Sequence, residues 1–303
     1  MSCRPLCLAL LLLLSVIPCR AINIVFDYSD DTNNFFASNP TAKVDLEAAG
    51  QFFDSLLSDS LTAINPSGSN SWTATFTNPS TGNSASVSNL SIAANEILIF
   101  VGGLSLSGST LGEGGPGGYS ASGSQSWLNT VGARGQTGAL ASAPTDFGPW
   151  GGSVQFNSSA SWYFDPDPST SESFSANDFY SVALHEIGHV LGLGTAGSWN
   201  ADISNGTFTG ANSEAAHGGT AVSLSADLAH WATGTMSTIY GTSTAQETAM
   251  SPALTTGTRK TFTTLDVAGL KDVGWMVVPE PSSTTLLLVA AAMAAGRRKS
   301  RKS

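Results

Sequence analysis

Apolar and polar residues alternate from the start of residues 22–28, where Ile22, Ile24 and Phe26 fall on one face of an expected strand. The period then changes. Across residues 41–61, Val44, Ala48, Phe52, Leu56 and Leu57 recur at helical spacing and predict one long amphipathic helix. Strand patterns return at residues 72–76, 86–92 and 96–101. The last of these, EILIFV, reads as a buried central strand ended by Gly102 and Gly103. Residues 102–151 are rich in Gly and Ser with little periodicity, which predicts a long loop of functional character. Strands are expected again at 152–157 and 161–165, followed by an apolar helical stretch that starts after the N-cap candidates Ser175, Asn177 and Asp178. Leu265, Ala268, Leu270 and Val273 then predict a C-terminal helix, capped at Thr263 or Thr264 and ended by Gly274. No repeat of fixed period is visible, so residues 22–278 read as one globular unit.

Two apolar runs lie outside this pattern. Residues 1–21 combine Arg4, an apolar run over 6–17 and a cleavage position after Ala21, the layout of a secretory signal peptide. The run is well short of the ~20 residues a spanning helix needs. At the other end Val278-Pro279-Glu280-Pro281 leads into an apolar run over 284–295 and then Arg297, Arg298, Lys299, Arg301 and Lys302. Those three parts, in that order, resemble the PEP-CTERM sorting signal of exported proteins from Gram-negative bacteria that make extracellular matrix. The resemblance implies that residues 279–303 form a transient membrane anchor handled by exosortase-type sorting machinery, and that the chain works at the cell surface or in the matrix.

Setting the ends aside changes the composition. All three cysteines, Cys3, Cys7 and Cys19, fall within residues 1–21, so residues 22–278 offer no disulfide, thiol nucleophile or cysteine metal site. Only Lys43, Arg134, Arg259, Lys260 and Lys271 remain against 21 acidic residues, a formal charge of −16. Such a surface excludes a nucleic-acid binder and disfavours other anionic partners. Asp165 and Asp167 in FDPDPS form an acidic turn; calcium is conceivable there but is not assigned.

The chemistry lies in the apolar helical stretch. His185 and His189 are four residues apart, so on a helix they share one face one turn apart and can hold a single Zn²⁺. Glu186, beside the first histidine, then stands near the open coordination position, where it can take a proton from water: the HExxH arrangement of a zinc peptidase. A third protein ligand is still needed. Gly192 would let the chain turn sharply, and the run HExxHxxG resembles the metzincin zinc peptidases over about residues 152–275, although Thr195 stands where their compact motif has its third histidine. Three candidates remain for that ligand: His230, His217 and Glu214. The order His230-Trp231 and then Glu247-Thr248-Ala249-Met250 resembles the leishmanolysin branch, which implies His230 as ligand and Met250 in a methionine turn beneath the metal. His217 lies in a Gly/Ala loop, and Glu214 would be the ligand of a thermolysin-like enzyme.

The metzincin resemblance implies an α/β, zincin-like fold: a twisted mixed sheet with the active-site helix, an irregular lower subdomain that supplies the third ligand, and a C-terminal helix. It further implies a zinc metalloendopeptidase acting on protein or peptide substrates, in which His185, His189 and His230 hold zinc and Glu186 is the general base. The rival from another class is a non-catalytic surface or matrix protein on the same fold.

Overall fold

The computed structural model describes residues 22–278. The expected signal peptide and the C-terminal sorting segment therefore lie outside the described residues. In chain order the main elements are β1 (Asn23–Asp27), α1 (Phe35–Ser38), α2 (Pro40–Leu56), β2 (Ser71–Thr77), β3 (Ser84–Ser88), β4 (Glu96–Leu104), β5 (Gly112–Pro116), β6 (Gly118–Ser122), α3 (Gln125–Ala133), β7 (Gly151–Asn157), α4 (Phe179–Val190), α5 (Gly197–Ala201), α6 (Ala211–Ala216) and α7 (Thr264–Val273). The principal sheet has the order β1-β4-β7-β5. Its first three strands are parallel, and β5 runs antiparallel to β7 along the edge. This is a mixed sheet with several helices, consistent with a zincin-like fold.

Strand β4 explains why its sequence is apolar without alternation. Ile97, Ile99 and Val101 point into the core beneath α2 and α4, whereas Leu98 and Phe100 point into a second core on the opposite face. That second core is covered by a three-stranded antiparallel sheet, β3-β2-β6, and by α3. Phe76 stacks on Phe100 at 4.1 Å, with Trp72 and Trp150 packed around them. Arg134, fully buried at the end of α3, donates to the carbonyls of Thr62, Ala93, Glu96 and Pro149, so one guanidinium ties four chain segments together.

Three sequence expectations are corrected here. Gly102 and Gly103 do not end the central strand, which continues to Leu104. Residues 102–151 are not a single loop: they contain β5, β6 and α3. Glycine contributes no apolar period, so a strand held by backbone pairing is invisible to a pattern search. Helix α2 forms where expected but is shorter, and its buried face is rotated: Ala42, Leu46, Ala49 and Phe53 are inside, while Val44 is 41% exposed.

Rotation of α2 also buries Asp45, whose neighbours are Asp165, Asp178 and Arg259. Arg259 pairs with Asp165 at 2.8 Å and Asp178 at 2.7 Å, and the Asp165 amide donates to Asp45 Oδ2. The other oxygen of Asp45 has no partner, and burial pushes its carboxyl up to about 8. An unfolded aspartate titrates near about 3.9, so the folded chain holds this proton more tightly, and the associated stability is lost as pH rises from about 4 to about 8. Asp45→Asn is therefore expected to gain on the unaltered chain as pH rises. Thermal midpoints of the two proteins between about pH 5 and 9 check this; a constant or shrinking gap would contradict it.

Candidate metal centre

Helix α4 begins where Asp178 caps it, accepting from the Ser181 amide and hydroxyl. Its first turn buries Phe179 among Phe35, Phe156 and Phe164, which fixes the helix against the sheet. One turn further on, His185 and His189 project from the same face, as their spacing dictates. The third imidazole arrives from a distant segment. The Nε2 atoms of His185, His189 and His230 lie 3.1 Å from one another in all three pairs. Among the described residues this is the group of His, Cys, Asp or Glu side chains whose ligand atoms converge.

The remaining ring nitrogens decide what the convergence means. His185 Nδ1 lies 2.8 Å from the Ala249 carbonyl oxygen, His189 Nδ1 2.7 Å from that of Leu193, and His230 Nδ1 2.8 Å from Asp227 Oδ2. Each of those partners can only accept, so each Nδ1 carries a proton, and in the neutral ring each Nε2 presents a lone pair. Three lone pairs facing one another have no hydrogen to share. A cation between them resolves the arrangement, and tetrahedral zinc with Zn–N bonds of about 2.0–2.1 Å sets its ligand nitrogens about 3.3 Å apart. Burial and the neighbouring imidazoles also hold His185 well below its ordinary pKa and bring His189 down to about 4, so both are neutral at physiological pH. The donor set fits zinc.

Glu186 is 5% exposed and sits under the edge strand. A Cβ at Gly112 would come within 2.9 Å of its carboxyl group, and one at Gly114 within 2.6 Å of its backbone oxygen, so β5 crosses α4 here only because both positions are glycine. Burial pushes the Glu186 carboxyl up to about 8; the Gly114 backbone opposes that rise and Glu113 reinforces it. Beside it opens a cleft of about 520 Å³ between β5 and the segment after Met250, with Val182, Ser251, Pro252 and Leu254 on its walls.

Met250 is fully buried beneath α4, where a Cβ at Gly188 would meet its sulfur at 2.8 Å. Its turn is held by Asp266, the third residue of α7. This carboxylate accepts from the amides of Ala249, Met250 and Thr263, from the Thr263 hydroxyl and from Trp231 Nε1. It thereby fixes the Ala249 carbonyl that orients His185 and the tryptophan next to His230. Sequence reading missed Asp266, although the capping box Thr263-x-x-Asp266 marks it.

The route to His230 explains why Thr195 replaces a histidine. After α4 the chain turns at Gly192 and Gly194, both with positive φ, and Thr195 donates its hydroxyl to the His189 carbonyl rather than to a metal. Residues 195–229 then leave the cleft and form α5, α6 and a small antiparallel sheet of Ile203–Ser204, Thr207–Phe208 and Val222–Ser223. This excursion has an aromatic centre, with Trp199 stacked on Phe208 at 4.1 Å and tilted against Trp231 at 4.9 Å. It returns against Gly194, where a Cβ would lie 2.2 Å from the Ala229 oxygen, and delivers His230 next. Glu214 lies in α6, and His217, expected in a Gly/Ala loop, caps the end of that helix and bonds to Thr220. Neither belongs to the converging group.

Residues 124–203 match the family model Peptidase_M10, Matrixin. Comparison with curated proteins gave no match, and neither did comparison with solved structures. The matched segment runs from the N-cap of α3 past α5 and contains His185, Glu186 and His189; His230 lies beyond it. Together, the matrixin match and the three converging imidazoles support a zinc metalloendopeptidase of the metzincin type, with protein or peptide substrates.

Proposed function

We propose that the chain is an exported zinc metalloendopeptidase of the cell surface or extracellular matrix of a Gram-negative-type bacterium, with a leishmanolysin-like arrangement of its third ligand. The observation that carries this reading is the mutual 3.1 Å spacing of three convergent Nε2 atoms beside the buried carboxyl group of Glu186 in an open cleft. His185, His189 and His230 would hold the metal. Zinc, when bound, supplies Lewis acidity that makes water a nucleophile near neutral pH and polarises a carbonyl.

The chain's own residues do the rest. Strand β5 is an edge strand, so its outward backbone groups are available to pair with an extended peptide laid along the cleft. Glu186, held under Gly112 and Gly114, takes the proton of the attacking water and returns it to the leaving amine. Asp266 and Met250 keep the floor rigid while this occurs. Export rests on the sequence of the two ends, including the PEP-CTERM resemblance and the exosortase-type machinery and transient anchoring it implies.

Casein digestion by the purified chain, with metal content measured in parallel, tests the reading. One zinc per chain and cleavage abolished by a chelator and restored by zinc are expected. Stoichiometric zinc without cleavage of any protein substrate would favour the non-catalytic surface protein instead.

A further inference from the structure

The three imidazoles are not held alike. His185 and His189 are oriented by backbone carbonyls, which cannot move without moving the chain. His230 is oriented by a side chain, Asp227, on an exposed turn. We propose that Asp227 is a positioning residue that makes His230 a competent metal ligand, an inference that rests on the metal site proposed above but not on its being a peptidase.

The turn is built around this carboxylate. Its Oδ1 accepts from the Ser225 hydroxyl and the Ala229 amide, and its Oδ2 from His230 Nδ1. Leu228 adopts a left-handed conformation with φ 62°, its amide donating to the Ser225 carbonyl and its carbonyl accepting from Trp199 Nε1. The Ser225 amide donates to the His230 carbonyl, which closes the turn. The backbone of residues 225–230 is thus fixed on both sides, but the His230 ring has no other hydrogen-bonded anchor than Asp227 and its two histidine neighbours. Those neighbours present lone pairs, so they do not hold it.

Two consequences follow from the chemistry of the pair. Asp227 fixes the Nδ1–H tautomer, which leaves Nε2 free to bind, and its negative charge lies on the far side of the ring from a bound cation, where it favours that cation. An amide at the same place has one acceptor oxygen and no charge, so it can serve Ser225 and Ala229 or His230 Nδ1 but not both sets. Alanine would remove acceptor and charge together and let the ring turn outward.

The test is zinc affinity of the full chain, measured with zinc alone by competition against a chromophoric chelator for the unaltered protein, Asp227→Asn and Asp227→Ala. Alanine and asparagine are each expected to weaken zinc about 10–100-fold, the span seen when such outer partners are removed. Nitrogen-resolved NMR of the zinc-loaded proteins should place the change on the His230 ring while the His185 and His189 rings keep their signals. If alanine disrupts folding, the asparagine variant decides, because its single amide oxygen can still accept from Ser225 and Ala229 and keep the turn, while the NH2 group it then turns to His230 cannot accept from Nδ1. Zinc binding within twofold of the unaltered chain in Asp227→Asn, with an unchanged His230 signal, would overturn the proposal. A chain that binds zinc in this Asp227-dependent way but cleaves no protein would end the peptidase reading and leave this one standing.

Discussion

Glu186→Gln is expected to bind one zinc per chain and to lose about 10²–10⁴-fold in kcat, the range a positioned general base supplies. The substitution keeps the shape of a side chain that is 5% exposed and wedged under Gly112 and Gly114, so the strand above it has no reason to move. The amide, unlike a carboxyl group raised to about 8, gains no buried charge as pH rises, and the thermal midpoint should not fall. What disappears is the capacity to accept a proton from water beside the three imidazoles. Metal analysis, a melting curve and a single-turnover assay on a peptide separate these effects. Retention of more than about a tenth of the activity would remove Glu186 from the role of base and require another acceptor in the cleft.

Local spacing made part of this site legible and topology hid the rest. The i, i+4 relation of His185 and His189 survives any fold in which residues 179–190 are helical, because helix geometry alone puts both on one face. Strand β4 was legible for the same reason, since an unbroken apolar run has few places to go but the middle of a sheet. By contrast, β5 carries glycines because α4 presses against it, a reason that exists only in three dimensions. The face of α2 was misjudged because its buried side includes Asp45, Gly50 and Asp54, and a search for apolar residues passes over all three. Asp227 and Asp266 were invisible as site residues because each acts across a turn or across the chain on a group it does not resemble in sequence.

His230 is the residue on which the two levels meet, since no helical spacing ties it to His185 and His189 and only the order His230-Trp231 and then Glu247-x-x-Met250 pointed to it. His230→Ala is expected to weaken zinc binding by about 10²–10⁴-fold, a one-third share of a site whose structural counterparts bind with about 10–16 kcal/mol. Peptide cleavage should fall with it at limiting zinc. The fold should persist, because the adjacent Trp231 is fully buried, donates to Asp266 and packs on Trp199 whether or not the imidazole is present. Removing one of three facing lone pairs should even raise the thermal midpoint of the metal-free chain. His217→Ala and Glu214→Ala provide the contrast: both lie in or at the end of α6, away from the converging nitrogens, and should leave zinc affinity unchanged. Chelator competition on the three variants reads out the ligand set directly. Loss of zinc in Glu214→Ala with retention in His230→Ala would replace the metzincin arrangement by a thermolysin-like one, and would require the excursion of residues 195–229 to fold back over the cleft instead of packing its Trp199 and Phe208 on Trp231.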